Sequence, residues 1–248
     1  MSLLIGLGCS FINGTEAGGE EYSFLRYLGD HIKAKVYNLG QEGSSNFIAY
    51  SKLYTESMPE VESMVDLNVF WMPTGINRDE VVYGDKSQHH PSYLYRTAFP
   101  CEMPVDLGDK NLAELEKTLW NITHPAGYVT KFCMIAQMIK TWCDVHRAKL
   151  LIFPAFSRDL NRNFCREVVK GVPYMERVVD NAPWDYFINV DGCDNFFDWT
   201  TKQIGYNGKT MEELHLQPLP AKFKHILGER YHPLANSHKN FANRLINI

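Results

Sequence analysis

No stretch of this chain is both apolar and long enough to span a bilayer, which takes about 18 consecutive residues. Basic residues are not in excess either: 25 Lys and Arg stand against 29 Asp and Glu, a formal charge of −4. That balance lacks the footprint of a nucleic-acid binder, and no basic run offers a patch for a membrane surface. The six cysteines include no CxxC pair and the nine histidines no HxxxH pair, so the usual zinc spacings are missing. His232 and His238, six apart, do not share a helical face. The turn Gly8–Thr15 has no lysine, which excludes a P-loop for nucleotide phosphates. No metal and no cofactor is expected. Met1–Gly8 is apolar but short and has no basic flank, so it reads as a buried strand and not as a signal peptide. The expected location is therefore the cytoplasm, or a virus particle if the source is viral. Without a secretion signal the cysteines are expected as reduced thiols.

What is present is ordinary globular material. Hydrophobic residues make up 45% of the 248 and charged residues 22%, enough to bury a sizeable core. Five short apolar runs, each followed by turn residues, read as buried strands: Leu3–Leu7, Lys35–Asn38, Leu67–Met72, Lys149–Phe153 and Tyr186–Val190. Helical stripes lie between them. Phe24, Leu25, Leu28 and Ile32 form one, and Val129, Phe132, Ala136, Ile139, Trp142 and Cys143 form a stronger one. Asn161–Asp180 reads as helix broken near Val172-Pro173, and Phe241, Leu245 and Ile248 mark a last helix. This alternation predicts an α/β fold with a parallel sheet covered on both faces, in one domain over 1–248. Two stretches interrupt it, 79–128 and 192–228, each rich in Gly, Pro and aromatic residues. Insertions of that length are usually functional loops or lids. The first contains one short helical pattern, Leu112–Trp120.

Four motifs stand at the ends of predicted elements. Gly8-Cys9-Ser10-Phe11-Ile12-Asn13-Gly14-Thr15 follows the first strand. The carboxyl edge of an open parallel sheet is where ligands bind, and a serine there is a nucleophile if a base activates it. It could equally cap a helix. Asn38-Leu39-Gly40-Gln41-Glu42-Gly43-Ser44-Ser45-Asn46 follows the second strand. It is a strand-to-helix turn capped by Ser44 or Ser45, or a loop presenting the Gly43 N–H to an oxyanion. Pro73-Thr74-Gly75-Ile76-Asn77 follows the third, with an amide at Asn77 that either donates to an oxyanion or closes an Asx turn. Near the end, Glu229-Arg230-Tyr231-His232-Pro233 precedes the last helix. Pro233 suits a first helical position, leaving His232 just outside, with Glu229 three residues away to orient its ring.

Taken in this order, the four motifs resemble those of the SGNH hydrolase superfamily, the GDSL-like esterases. Gly8-Cys9-Ser10 with Gly14 is similar to its first block, Asn38-Leu39-Gly40 through Gly43 to its second, and Gly75-Ile76-Asn77 to its third. Glu229-x-x-His232-Pro233, followed by His238 and Ala242, is similar to its fourth. The resemblance implies a flavodoxin-like three-layer sandwich with a five-stranded parallel sheet in the order 2-1-3-4-5, interrupted by the two insertions. It implies a serine esterase in which Ser10 is the nucleophile, His232 the base and Glu229 the orienting acid. Its oxyanion hole would comprise the Ser10 and Gly43 N–H groups and the Asn77 amide. The sequence departs from the family at Cys9 and Glu229, where aspartates are usual, and at Ser237, where glycine is common.

Tyr83, His89, His90, Tyr93, Tyr95 and Arg96 in the first insertion are expected to line a cleft over Ser10. Such a mixture of rings and polar groups suits a small-molecule or carbohydrate ester, with an O-acetylated sugar preferred. Two other readings stay open. These residues could simply pack the insertion against the domain. Alternatively the chain could be a catalytically silent binding or structural protein of the same fold, such as a virus-particle component, using exposed aromatic insertions as a partner surface.

Overall fold

The computed structural model describes residues 2–56, 61, 66–76, 78–83, 92–97, 124–206 and 221–247. The apolar runs form a parallel sheet because each is short and separated from the next by a helix; the two central runs are buried on both sides and the two edge runs only in part. β1 (Ser2–Gly8) lies between β2 (Ala34–Asn38) and β3 (Asp66–Met72), and β6 (Lys149–Ile152) adds to the far side of β3. β1 pairs with β2 from Ser2 opposite Ala34 to Gly6 opposite Asn38. It pairs with β3 from Ser2 opposite Asp66 to Gly8 opposite Met72, and β3 pairs with β6 from Asn68 opposite Lys149 to Trp71 opposite Ile152. All four carboxyl ends therefore open on one edge.

Alternation along the strands divides the core in two. Leu3, Ile5 and Leu7 of β1, with Leu67, Val69 and Trp71 of β3, face a mostly aliphatic layer. That layer is supplied by α3 (Asn46–Glu56), α4 (Pro125–Val145), α5 (Arg162–Val168) and α6 (Pro173–Asp180). Leu4, Phe70 and Met72 face the other way, onto α1 (Ser10–Asn13), α2 (Phe24–Ile32), α7 (Phe196–Lys202) and α8 (Ala235–Leu245). That second layer is dominated by rings. The expected helices form where the stripes lie. The break near Val172-Pro173 falls between α5 and α6, with Pro173 opening α6, where its missing N–H costs no helical bond. The last helix runs to Leu245, and Ile248 lies outside the described residues.

The fifth strand does not form as a ladder. At Tyr186–Val190, Phe187 makes one parallel bridge with Ile152, and the Ile188 N–H donates to the Ile152 carbonyl at 2.9 Å. A 3-10 turn over Trp184–Tyr186 takes up the start of the run, and Val190 turns back to pair with Cys193. The segment holds the place beside β6 that a fifth strand would take, but with a single bridge; the ordered ladder has four strands.

In the first insertion, β4 (Arg78–Tyr83) and β5 (Ser92–Thr97) make a separate antiparallel pair with Val82 opposite Tyr93 and Asp79 opposite Arg96. His89, His90 and Leu112–Trp120 lie outside the described residues. The second insertion bears on the alternative reading of a binding protein. Phe196, Phe197, Trp199 and Phe223 are buried in the aromatic layer and form no exposed partner surface. Ring area of this size is buried when a neighbouring face is available, and α8 supplies one. Cys9, Cys133, Cys143, Cys165 and Cys193 are buried free thiols; Cys101 lies outside the described residues. Among the described residues no helix is long and apolar enough to cross a membrane.

Candidate active site

Ser10 is not the helix cap. Cys9 holds that position, in extended backbone, and Ser10 is the first residue of the single-turn α1 at the carboxyl end of β1. The turn is closed by the Ile12 and Asn13 N–H groups donating to the Cys9 carbonyl. It is pinned from outside by the Ser23 hydroxyl, which donates to the Ile12 carbonyl at 2.6 Å. The same Ser23 oxygen accepts the Leu25 N–H and so caps α2.

The histidine arrives from the other end of the chain. Leu227 and Pro233 form an antiparallel bridge, with the Gly228 N–H donating to the His232 carbonyl and the Leu234 N–H to the Ile226 carbonyl. Pro233 is therefore not the first helical residue, as its sequence position predicts. The bridge uses it, and α8 starts two residues later, with Leu234 as its cap. Within this closed loop Tyr231 is held at φ 64°, a left-handed conformation that ordinary residues adopt rarely. Its buried side chain and the Tyr231 N–H to Gly228 carbonyl bond keep it there.

This loop brings Ser10 and His232 together. Ser10 Oγ lies 2.6 Å from His232 Nε2, both residues being buried. The Phe11 ring packs against the imidazole at 5.0 Å between centroids. On the opposite side of the imidazole, His232 Nδ1 lies 3.0 Å from Oε2 of Glu16. The same carboxylate accepts the backbone N–H groups of His232 and Arg230, each at 3.0 Å. Glu229, the acid implied by the fourth motif, is exposed. Among the described residues the imidazole meets Ser10 and Glu16, with the left-handed Tyr231 standing between Glu229 and His232 in the chain. Sequence reasoning missed Glu16. The first motif as read stops at Thr15, one residue short of it.

The loop after β2 is drawn to the end of β1 by two bonds, Leu39 N–H to the Gly6 carbonyl and Gln41 N–H to the Gly8 carbonyl. Gly43 sits in the following turn, closed by Ser44 N–H to the Gln41 carbonyl, with φ 71°. A residue with a Cβ would be strained there. The turn leaves the Gly43 N–H unused among the described residues. The capping reading of this motif also holds: Ser45 Oγ accepts the Phe47 and Ile48 N–H groups at the start of α3.

The loop after β3 is held by Asn46, which the sequence reading had not singled out. Its buried amide donates to the Thr74 carbonyl at 3.2 Å, and its carbonyl accepts the Thr74 N–H at 3.0 Å. Asn77 itself lies outside the described residues, as do the side chains of Tyr83, Tyr93, Tyr95 and Arg96. Among the described residues no group of three or more His, Cys, Asp or Glu is placed to hold a metal.

His238 of α8 has a structural place. Its Nδ1 accepts the Phe24 N–H at 3.2 Å, satisfying an orphan donor at the start of α2. Its ring stacks on Phe24. Complete burial holds its pKa down at about 3, so it is neutral.

No family model and no curated protein matches the chain. Several solved structures are similar to it along almost their whole length. One is an acetylxylan esterase from Geobacillus stearothermophilus, at 13% identity and a TM-score of 0.47, over 99% of this chain and 92% of that one. Another is a member of the lipolytic protein G-D-S-L family from Veillonella parvula, at 10% identity and 0.45, over 100% and 98%. A third is the lipase/acylhydrolase from Enterococcus faecalis, at 12% identity and 0.45, over 100% and 94%.

Proposed function

We propose that this chain is a serine hydrolase acting on carboxylic esters, with Ser10 as nucleophile and His232 as general base. The observation that carries the reading is the 2.6 Å approach of Ser10 Oγ to His232 Nε2, between residues 222 positions apart, at the carboxyl edge of a parallel sheet. A hydroxyl with an imidazole acceptor at this distance can lose its proton as it attacks a carbonyl carbon. The proton passes to His232 and then to the departing alcohol. Water, deprotonated by the same imidazole, next attacks the acyl-serine carbonyl; the acid leaves, and the proton returns to Ser10. The developing oxyanion would be met by the Ser10 and Gly43 N–H groups and, on the motif resemblance, by the Asn77 amide.

The substrate reading is an O-acetylated carbohydrate bound against the first insertion, with Tyr83, His89, His90, Tyr93 and Arg96 as its contacts. Its support is the mixture of aromatic and polar residues there. The strands β4 and β5 carry three of these residues, and β4 begins one residue after Asn77.

A fluorophosphonate probe and p-nitrophenyl acetate test the assignment together. The probe is expected to label Ser10, and Ser10→Ala to lose both labelling and hydrolysis. A wild-type chain that neither labels nor hydrolyses would instead support the silent binding protein.

A further inference from the structure

Nδ1 of an imidazole that acts as base through Nε2 must carry a proton, and something must hold it. A carboxylate only accepts hydrogen bonds. Glu16 Oε2, 3.0 Å from Nδ1, therefore selects the tautomer with the proton on Nδ1 and leaves Nε2 free to accept from Ser10. We propose that Glu16, and not Glu229, is the carboxylate that positions His232, so that nucleophile and orienting acid both come from residues 10–16. The proposal rests on the reading of Ser10 and His232 as nucleophile and base.

Three further observations bear on it. First, the contact is sheltered: the two side chains are 11% and 17% exposed, where a charge-assisted bond is stronger than in open water. Second, the carboxylate does more than meet the ring. By accepting the backbone N–H groups of Arg230 and His232 it fixes the loop on which the base sits. Third, the loop is shaped around that carboxyl. A Cβ on Gly228 would lie 2.5 Å from the Glu16 carboxyl carbon, so only glycine lets the acid lie where it does. Glu229, one residue on, is exposed.

The charged groups about the imidazole are few among the described residues. They are Glu16 on the nucleophile's segment, and Arg230 with its partner Glu42 on the adjoining loops. His238 on α8 faces it too but is kept neutral by burial. Neutralising Glu16 removes the nearest negative charge, so the imidazolium becomes less favourable and the base stays neutral to lower pH.

Glu16→Gln and Glu229→Gln, each in the full chain, separate the two acids. With p-nitrophenyl acetate, Glu16→Gln is expected to lower kcat about 10²- to 10⁴-fold with KM little changed. It should also shift the acid limb of the kcat/KM profile to lower pH. Glu229→Gln is expected to stay within about twofold on the scale of exposed-site changes, with the limb in place. Proton NMR supplies a readout independent of turnover. A far-downfield His232 Nδ1 proton is expected in wild type and in Glu229→Gln, and lost in Glu16→Gln. Loss of that signal or a displaced limb in Glu229→Gln overturns the proposal, and so does a Glu16→Gln variant with wild-type rate and profile. If Glu16→Gln does not fold, the signal in wild type and Glu229→Gln still decides. A wild type that fails to label or hydrolyse sinks the hydrolase reading, while the NMR comparison still says which acid holds His232.

Discussion

The two faces of the sheet are packed by different chemistry, and the candidate site belongs to one of them. Under α4 the core is largely Leu, Ile, Val, Ala and Cys, much of it supplied by one long helix. On the other face Phe241 of α8 meets Phe24, Phe153, Phe196 and Trp199 with ring centroids 4.5 to 5.1 Å apart. Phe11 continues the ring contacts from Phe196 to the imidazole of His232. Rings have few rotamers and specific contact geometry, so they transmit position better than flexible aliphatic chains. Both faces draw on residues far apart in the chain, but the aliphatic one takes a large share from the single helix α4. The aromatic face therefore reaches the imidazole of His232 through Phe196 and Phe11, while the aliphatic face lies on the other side of the sheet.

Truncation on each side is the strongest way to break that contrast. Phe241→Ala is expected to cost about 3–5 kcal/mol, read from denaturant midpoints, and to lower kcat as His232 loses its support. Ile139→Val on α4 should cost about 0.5–1.5 kcal/mol and leave kcat unchanged. If Phe241→Ala is destabilised but turns over normally, the two faces do not differ in function.

Acidification separates the faces next. His238 titrates near 6.5 when unfolded but at about 3 when folded, so the unfolded state binds the proton more readily. Its contribution is complete above pH 6.5 and is lost as pH falls from there toward 3, with a slope of up to about 1.4 kcal/mol per pH unit. On the aliphatic face burial pushes the Cys143 thiol up to about 12. The pKa of the Cys133 thiol is raised by its hydrogen bond with the Cys165 thiol and by burial. Neither changes charge in acid. Urea titrations between pH 7 and 4 should show this slope in wild type and a shallower one in His238→Gln.

The smallest expected effect lies at the rim. Arg230 and Glu42 join the histidine loop to the Gly43 loop at 2.6 Å, but both side chains are more than half exposed. Arg230→Met should cost less than about 1 kcal/mol, and the loss should vanish in high salt. A larger, salt-insensitive loss would mean that the rim, too, is part of the rigid face.

Much of this was legible beforehand. Four strands, the helices between them and the order of the four motifs are local features, written in apolar runs and turn residues. Ser10 and His232, which the fold brings to 2.6 Å, each stand beside such a feature. Exposure was not legible: Phe196, Phe197 and Trp199 look the same in a sequence whether they cover a partner or fill a core. Tyr186–Val190 has a strand's composition and takes the fifth place beside β6, but with a turn at each end it makes a single bridge.

The sequence by itself determined the alternating architecture and which residue types stand at the sheet's carboxyl edge, because hydrophobic periodicity and turn chemistry act over a few residues. Only the tertiary structure decided which carboxylate meets His232. Glu229 is three residues away along the chain and Glu16 is 216, yet the bridge at Leu227–Pro233 and the left-handed turn at Tyr231 bring the distant one to Nδ1. A hydrogen bond is set by distance in space, and loop closure over many residues adds only slowly to its entropic cost.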